Sequence, residues 1–126
     1  MNILIESSKD FERDLKQLTG NEKDIVITKI NECAQRFELQ ESNAYHKLRR
    51  IHSLLNLVDR NSSSLYVLKI SHDLRVILSV DDDPVFEQTI ITLFRVVKRS
   101  DLEKAYKGIA ESLYHGYINT TSELAA

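Results

Sequence analysis

The first forty residues carry two amphipathic helical patterns separated by a short break, and this feature constrains the fold most. In the first pattern Phe11, Leu15 and Leu18 recur at spacings of four and three residues, which places them on one helical face. The second pattern extends to about Leu39. Its apolar stripe consists of Val26, Ile30, Cys33, Ala34 and Phe37. Two amphipathic helices joined by a tight turn predict a helical hairpin.

Local signals mark the boundaries of these helices. The β-prone segment 2–6 predicts an opening strand, and residues 7–10 place a hydroxyl three residues before a carboxylate, as at a helix start. Between the two patterns we expect Gly20 to adopt the left-handed cap of the first helix. Asn21 would then cap the second helix.

The second half of the chain predicts three strands and a closing helix. Leu65 to Ile70 is β-prone, Leu74 to Val80 alternates apolar and polar side chains, and Phe86 to Val97 is a longer apolar run with a centre suited to burial on both faces. Residues 81–84, an acidic run before a proline, are interpreted as a solvated turn, because they lack the glycine and the distant glutamate of a calcium loop.

The closing helix is predicted to begin at a cap formed by Ser100 or Asp101. Its apolar positions are Leu102, Ala105, Ile109 and Leu113. Residues 40–64 give weaker signals and are expected to hold a short helix or an extra strand.

These elements predict an α+β fold in one domain. We expect an N-terminal strand and a helical hairpin packed on a mainly antiparallel, roughly four-stranded twisted sheet, with a C-terminal helix. The domain is expected to span residues 1–115, followed by a polar tail over 116–126. Three glycines and one proline leave little room for flexible linkers.

Several features favour a cytoplasmic protein. No apolar run approaches the roughly 20 residues that span a bilayer, and the first residues lack the pattern of a secretory signal. The lone cysteine, Cys33, cannot form an internal disulfide, which fits a reducing compartment. Its place on the apolar stripe favours a buried structural residue.

The net charge of -2 conceals a basic segment in the middle of the chain. Residues 45–80 have a balance of +4, whereas the segments before and after them each have a balance of -3. The six basic residues of this segment are Lys47, Arg49, Arg50, Arg60, Lys69 and Arg75. Such a segment can bind phosphates or an acidic partner protein, although scattered solvated charges are the alternative interpretation.

Four short sequence motifs resemble those of the RelE/ParE toxin superfamily and occur in the same order. They are Ser8–Leu18, with a lysine and a phenylalanine ahead of a leucine-ended helix; Lys47-Leu48; the strand pair Leu65–Ile70 and Leu74–Leu78; and Val96–Arg99 with Ala105-Tyr106 beyond it. The predicted order of strand, helices and strands is also similar to that of these toxins. The resemblance covers about Met1 to Leu113.

The resemblance implies the toxin of a type II toxin–antitoxin pair. RelE-like members cut messenger RNA in the ribosomal A site, by attack of the ribose 2′-hydroxyl on the adjacent phosphate. The implied partners are a cognate antitoxin protein and mRNA on the ribosome, with no membrane, no metal and no small-molecule cofactor. The alternatives are a ParE-like inhibitor of DNA gyrase that cuts nothing, and a non-toxic interaction protein of the same fold.

The resemblance also assigns roles to individual residues. Arg75 corresponds to a strand arginine that clamps phosphate, and Lys69 to a lysine that activates the 2′-hydroxyl or binds the backbone. Arg99 corresponds to the arginine of the closing basic pair, which would neutralise the scissile phosphate. Tyr106 corresponds to a distal tyrosine that stacks on a base or orients the nucleophile. Where several RelE-like nucleases have a second strand lysine, this chain has Val67.

Five further residues are candidates for RNA binding. They are Lys47, Arg49, Arg50, His72 and Lys98. His72 and His46 are also candidates for an acid or a base, because histidine titrates near pH 6.5.

Each candidate catalytic residue has a structural alternative. Arg75 can pair with Asp73 or with an acidic residue on a neighbouring strand. Arg99 can help to cap the last strand, or pair with Asp101 or Glu103. Lys69 can be a solvated charge at a sheet edge, and Tyr106 a core residue of the last helix.

Overall fold

The computed structural model describes residues 2–51 and 65–112. Within them a first strand, β1 (Asn2–Ser7), precedes helices α1 (Lys9–Lys16) and α2 (Gly20–Glu38). The elements that follow are β2 (Leu48–Arg50), β3 (Leu65–Lys69), β4 (Leu74–Asp83), β5 (Gln88–Lys98), the 3-10 turn Arg99–Asp101 and helix α3 (102–112). The expectations for residues 52–64, for Leu113 and for the tail 116–126 lie outside the described residues.

The described strands form one sheet in the order β1-β5-β4-β3-β2. Strand β1 is parallel to β5, with Asn2 opposite Gln88, and the other neighbours are antiparallel. The predicted α+β class is therefore confirmed. The sheet has one strand more than the four expected, because β2 pairs with β3 at the edge of the sheet.

The sheet separates two apolar cores, because alternate strand residues point to opposite faces. Helices α1 and α2 cover the inner face, where Leu74, Val76 and Leu78 of β4 meet the predicted helical stripes. Helix α3 covers the outer face, where Ile77 of β4 is fully buried. The remaining buried residues of this outer core are Ile51, Leu65, Val67, Val97, Leu102, Ala105, Tyr106 and Ile109.

The stripe of α2 is buried as predicted, and Cys33 is 1% exposed within it. Burial raises the pKa of the Cys33 thiol to about 11, although the nearby Arg36 guanidinium acts in the opposite direction. The thiol therefore stays protonated at neutral pH and packs as a small apolar group.

The boundary between α1 and α2 differs from the prediction. Thr19 is the N-cap: its hydroxyl accepts a hydrogen bond from Glu22 N–H, and the Glu22 side chain accepts one from Thr19 N–H. This capping box satisfies two backbone donors that the helix itself cannot. Gly20 lies in the first turn of α2 without a positive φ, so the predictions of a left-handed Gly20 and of an Asn21 cap were wrong.

Two further predicted boundaries were wrong by a few residues. The acidic run 81–83 belongs to β4, which pairs with β5 as far as Asp83 opposite Gln88, and the turn occupies residues 84–87. Asp83 forms this turn by accepting hydrogen bonds from the N–H groups of Val85 and Phe86. Ser100 and Asp101 lie inside the 3-10 turn that leads into α3, so the chain is already helical where the cap was predicted.

An ion pair fastens α1 to β5. The Asp14 carboxylate accepts hydrogen bonds from Arg95 Nε at 2.6 Å, from Arg95 Nη2 at 3.1 Å and from Val96 N–H at 3.1 Å. The hydrogen bond from Arg95 to Asp14 is the main cause that raises the pKa of Arg95. The contact lies beside a β-bulge, where the register of β4 and β5 shifts between Ile77 and Leu78. Asp14 therefore stabilises the irregular part of β5.

We expect the Asp14→Asn variant to lower the free energy of unfolding by about 2 kcal/mol, because it weakens three hydrogen bonds to a charged acceptor. Urea titration followed by circular dichroism measures the difference. The matched control is Asp10→Asn, since Asp10 pairs with Arg13 at 3.4 Å through side chains that are 62% and 70% exposed. We expect that control to change stability by less than about 0.5 kcal/mol. Equal effects of the two variants would contradict the assignment.

No helix within residues 2–51 and 65–112 has the length and apolarity needed to cross a bilayer. The same residues contain no group of three His, Cys, Asp or Glu side chains placed to hold a metal ion.

Candidate nucleic-acid interface

The sheet register brings basic residues from three neighbouring strands together. Lys69 of β3 lies directly opposite Arg75 of β4. Lys47 immediately precedes Leu48, which lies opposite Leu68, so the register places Lys47 next to Lys69. Three cations thus form a row across one end of β2, β3 and β4.

These residues line a hollow of about 250 Å³ on the outer face of the sheet. The described residues that line it are Lys47, Arg49, Val67, Lys69 and Arg75. Arg49 lies opposite Val67, whose buried side chain belongs to the outer core. The hollow therefore has an apolar residue and four cations in its lining, with no carboxylate among the described lining residues. We name it the basic hollow.

Arg75 is held in place by backbone carbonyl groups. Its Nη1 donates hydrogen bonds to the carbonyl oxygens of Ser71 at 2.6 Å, Leu74 at 3.0 Å and His72 at 3.2 Å. Within the described part of the chain, its Nε and Nη2 have no hydrogen-bond partner. A guanidinium that is fixed on one side and free on the other is preorganised to engage two oxygens of an anion.

The cations of the basic hollow are not neutralised within residues 2–51 and 65–112. The ion pairs in this part of the chain involve Arg13, Lys29, Arg95 and Lys107, and none involves Lys47, Arg49, Lys69 or Arg75. The alternative interpretation, in which Arg75 pairs with Asp73, does not describe this structure.

The opposition of Lys69 and Arg75 is unfavourable for the free protein. Like charges directly opposite each other on neighbouring strands destabilise a sheet, whereas opposite charges stabilise it by about 0.2–1 kcal/mol. An anion between the two side chains would remove this repulsion. The arrangement is therefore suited to binding an anion rather than to stabilising the sheet.

Other candidate residues lie near this hollow without lining it. Arg99 is exposed, and its backbone N–H donates to the carbonyl oxygen of Asp73 at 2.6 Å, so Arg99 adjoins the turn whose carbonyl groups hold Arg75. His72 is exposed in that turn. Arg99 and His72 are not among the residues that line the basic hollow. The sheet therefore gathers Arg75 with Lys69 rather than with Arg99 around one hollow.

Three candidates lie elsewhere. Lys98 lies opposite Leu74 and lines a separate hollow beside α1. Arg50 lies on the inner face, and its guanidinium carbon is 6.0 Å from the centroid of the Tyr66 ring. Tyr106 is 3% exposed in the outer core, and its hydroxyl has no hydrogen-bond partner among residues 2–51 and 65–112. The core interpretation of Tyr106 thus describes its position.

Sequence reasoning missed two basic residues of α2. Lys29 and Arg36 line a second hollow that adjoins the first. They are seven residues apart, which places them two turns apart on the same helical face. That spacing is visible in the sequence. Only the packing of α2 shows that this helical face lies beside the end of β3.

The architecture that carries this site has the α+β element order that we expected from the sequence. A strand and a helical hairpin precede the antiparallel strands, and a helix closes the described part of the chain.

Among solved structures, the chain is similar to YafQ from Escherichia coli strain BL21(DE3), with 16% sequence identity and a TM-score of 0.49, over 78% of this chain and 94% of that one. It is also similar to the conserved hypothetical protein HP0894 from Helicobacter pylori, with 13% identity and a TM-score of 0.40, over 77% and 94% of the two chains. No family model and no curated protein matches the chain. Similarities of this size carry no inference about activity.

Proposed function

We propose that this protein is the toxin of a type II toxin–antitoxin pair and cuts messenger RNA on the ribosome. The observation that carries the proposal is the basic hollow, where four cations from neighbouring strands surround one space without a carboxylate among the described lining residues. RNA is a polyanion, and cations that form no ion pair within the described residues can bind its phosphates with release of counterions.

The proposed reaction is attack of a ribose 2′-oxygen on the adjacent phosphorus. The bond from phosphorus to the 5′-oxygen breaks, which yields a 2′,3′-cyclic phosphate and a free 5′-hydroxyl. The proton lost by the 2′-hydroxyl is balanced by the proton gained by the leaving oxygen. The pentavalent phosphorane carries extra negative charge, so fixed cations lower the barrier by stabilising the transition state more than the ground state.

Each cation has a proposed role. Arg75 holds two non-bridging oxygens of the scissile phosphate, because its free Nε and Nη2 present two donors in one plane. Lys69, directly opposite, neutralises the developing charge. Lys47 and Arg49 bind the neighbouring phosphates. Arg99, exposed next to the turn that holds Arg75, contacts the RNA where it extends beyond the basic hollow.

Tyr106 and His72 are less well placed for chemistry. A catalytic Tyr106 requires α3 to move, because its hydroxyl is buried in the outer core. His72 is exposed beside the hollow and is available as a proton carrier only if its side chain turns towards the bound RNA.

The basic hollow also suits the proposed partner. An antitoxin segment with acidic side chains would supply the carboxylates that the described lining lacks and would exclude RNA. This mode of inhibition fits a toxin stored in the cytoplasm as an inactive complex.

We expect the purified protein to cut mRNA on programmed ribosomes and to leave a 2′,3′-cyclic phosphate end. A single 2′-deoxy substitution at the cut nucleotide should abolish cleavage there, because the nucleophile is missing. Primer extension maps the cut, and end-group analysis identifies its chemistry. A variant with Lys107→Ala serves as a control, because Lys107 lies on α3 and pairs with Glu103 at 3.6 Å, away from the hollow.

Two outcomes would replace the proposal. Growth arrest with intact messages and trapped gyrase–DNA complexes would assign the ParE-like activity, for which Val67 at the position of a second strand lysine is a favourable feature. Normal growth during sustained expression, with no cleavage on ribosomes, would identify a non-toxic interaction protein.

A further inference from the structure

The basic hollow continues into a second groove. This groove has a volume of about 310 Å³ and lies between α2 and the end of β3. The described residues that line it are Lys29, Glu32, Arg36, Lys47, Leu68, Lys69 and Ile70. Lys47 and Lys69 line both spaces, so the two spaces meet at this pair of lysines. We name the second space the α2 groove.

The path from the basic hollow into the α2 groove leads from the outer face of the sheet to the inner face. Val67, in the basic hollow, belongs to the outer core, whereas Leu68 and Ile70, in the α2 groove, belong to the inner core. The path therefore runs around the end of β3, with Lys47 and Lys69 at the corner.

Charge in the α2 groove is concentrated on Arg36. Lys29 lies 3.8 Å from Glu32, and this pair leaves little net charge at that end of the groove. Arg36 is half-buried, and within the described residues it has no ion pair. A half-buried arginine without a carboxylate partner is suited to binding a phosphate.

We propose that a single RNA strand leaves the basic hollow around Lys47 and Lys69 and enters the α2 groove, where Arg36 binds a backbone phosphate. The inference deepens the proposed function and depends on it. A single RNA strand fits this path better than an RNA duplex does. The path bends around the end of β3 and offers separate contact points rather than a broad flat surface.

The test compares long and short oligonucleotides. Fluorescence anisotropy measures binding of two 2′-O-methylated RNAs. One has about 12 nucleotides, within the range that a single-strand binding groove holds, and the other has about 3 nucleotides, below that range. We expect Arg36→Ala to weaken binding of the longer RNA about fivefold and to leave the shorter one unchanged. The slope of log affinity against log salt for the longer RNA should fall by about 0.7, the contribution of one phosphate contact to a single strand.

Matched variants show whether a loss of binding reflects the proposed RNA path or only the removal of a positive charge. Arg13→Ala removes an arginine that is 70% exposed on α1 and lines neither space, and it should not change binding of either length. Arg36→Lys should restore most of the binding of the longer RNA. Arg75→Ala should weaken both lengths.

Three results would overturn the inference. Equal losses for both lengths would place Arg36 in the basic hollow or show that it supports the fold. No loss for either length would remove Arg36 from the RNA path. A poly-glutamate peptide that binds with the affinity of the longer RNA and the same dependence on Arg36 would assign the groove to an acidic protein segment. If the wild-type protein binds RNA of neither length, the RNA path is overturned, whereas failure to cut mRNA on programmed ribosomes would separately overturn the proposed function.

Discussion

Replacing Arg75 with alanine is expected to lower the rate of RNA cleavage by about 100- to 1000-fold. The reason is that Arg75 is the cation of the basic hollow that the backbone fixes most firmly, through three carbonyl groups bound to its Nη1. A fixed cation stabilises the phosphorane without reorganising during the reaction. Single-turnover cleavage on programmed ribosomes measures the loss, because it isolates chemistry from product release.

Two further variants make this result specific. Arg75→Lys keeps the charge but loses the planar fork, and we expect it to recover only part of the rate. Lys107→Ala should cut RNA at the wild-type rate. Thermal unfolding of Arg75→Ala checks that the protein is folded, since the loss of three hydrogen bonds to carbonyl groups is offset only in part by removal of the repulsion from Lys69. An Arg75→Ala protein that is folded and fully active would eliminate the basic hollow as the catalytic site.

The largest effect on stability is expected from Ile77→Ala, which should lower the free energy of unfolding by about 3 kcal/mol. Ile77 has 0% exposure and lies in the outer core, opposite Arg95 at the β-bulge of β5. Truncating the Ile77 side chain removes buried apolar surface and leaves a cavity, which the surrounding side chains fill only in part. Urea titration detects the change as a lower midpoint with an unchanged slope.

The control for this variant is Ile27→Ala on α2, where the side chain is 48% exposed. The same chemical change there should lower stability by less than about 1 kcal/mol, because little apolar surface is lost. Ile77→Val should fall between the two, at about 1 kcal/mol. If Ile77→Ala and Ile27→Ala lower the midpoint equally, then Ile77 does not occupy a tightly packed core.

Periodicity predicted the helices and the central strands well, because long amphipathic patterns have few alternative interpretations. The stripe from Val26 to Phe37 is buried as expected, and β4 alternates as its sequence predicted. The boundaries were less accurate. The capping box of Thr19 and Glu22 was visible in the sequence, but the adjacent Gly20 suggested a different cap.

The candidate site was predicted only in part, because its geometry depends on β2. This strand has three residues, too few for a periodic signal, yet its pairing with β3 separates Arg49 from Arg50. Arg49 lines the basic hollow, whereas Arg50 approaches Tyr66 on the other face. From sequence alone the two arginines were equivalent.

The position of Tyr106 could not be predicted for a similar reason. Its spacing from Leu102 and Ile109 fits a core residue, and its place after the closing basic pair fits a site residue. Only the packing of α3 against Val67, Ile77 and Val97 decides where its ring lies.

The parallel pairing of β1 with β5 determines when the protein can complete its fold during synthesis. Because Asn2 pairs with Gln88, β1 has no partner in the sheet until β5, the last of the described strands, has been translated. Contacts this distant in sequence slow folding, because the intervening chain must close first. A ribosome that stops before β5 therefore releases a chain in which neither core is closed.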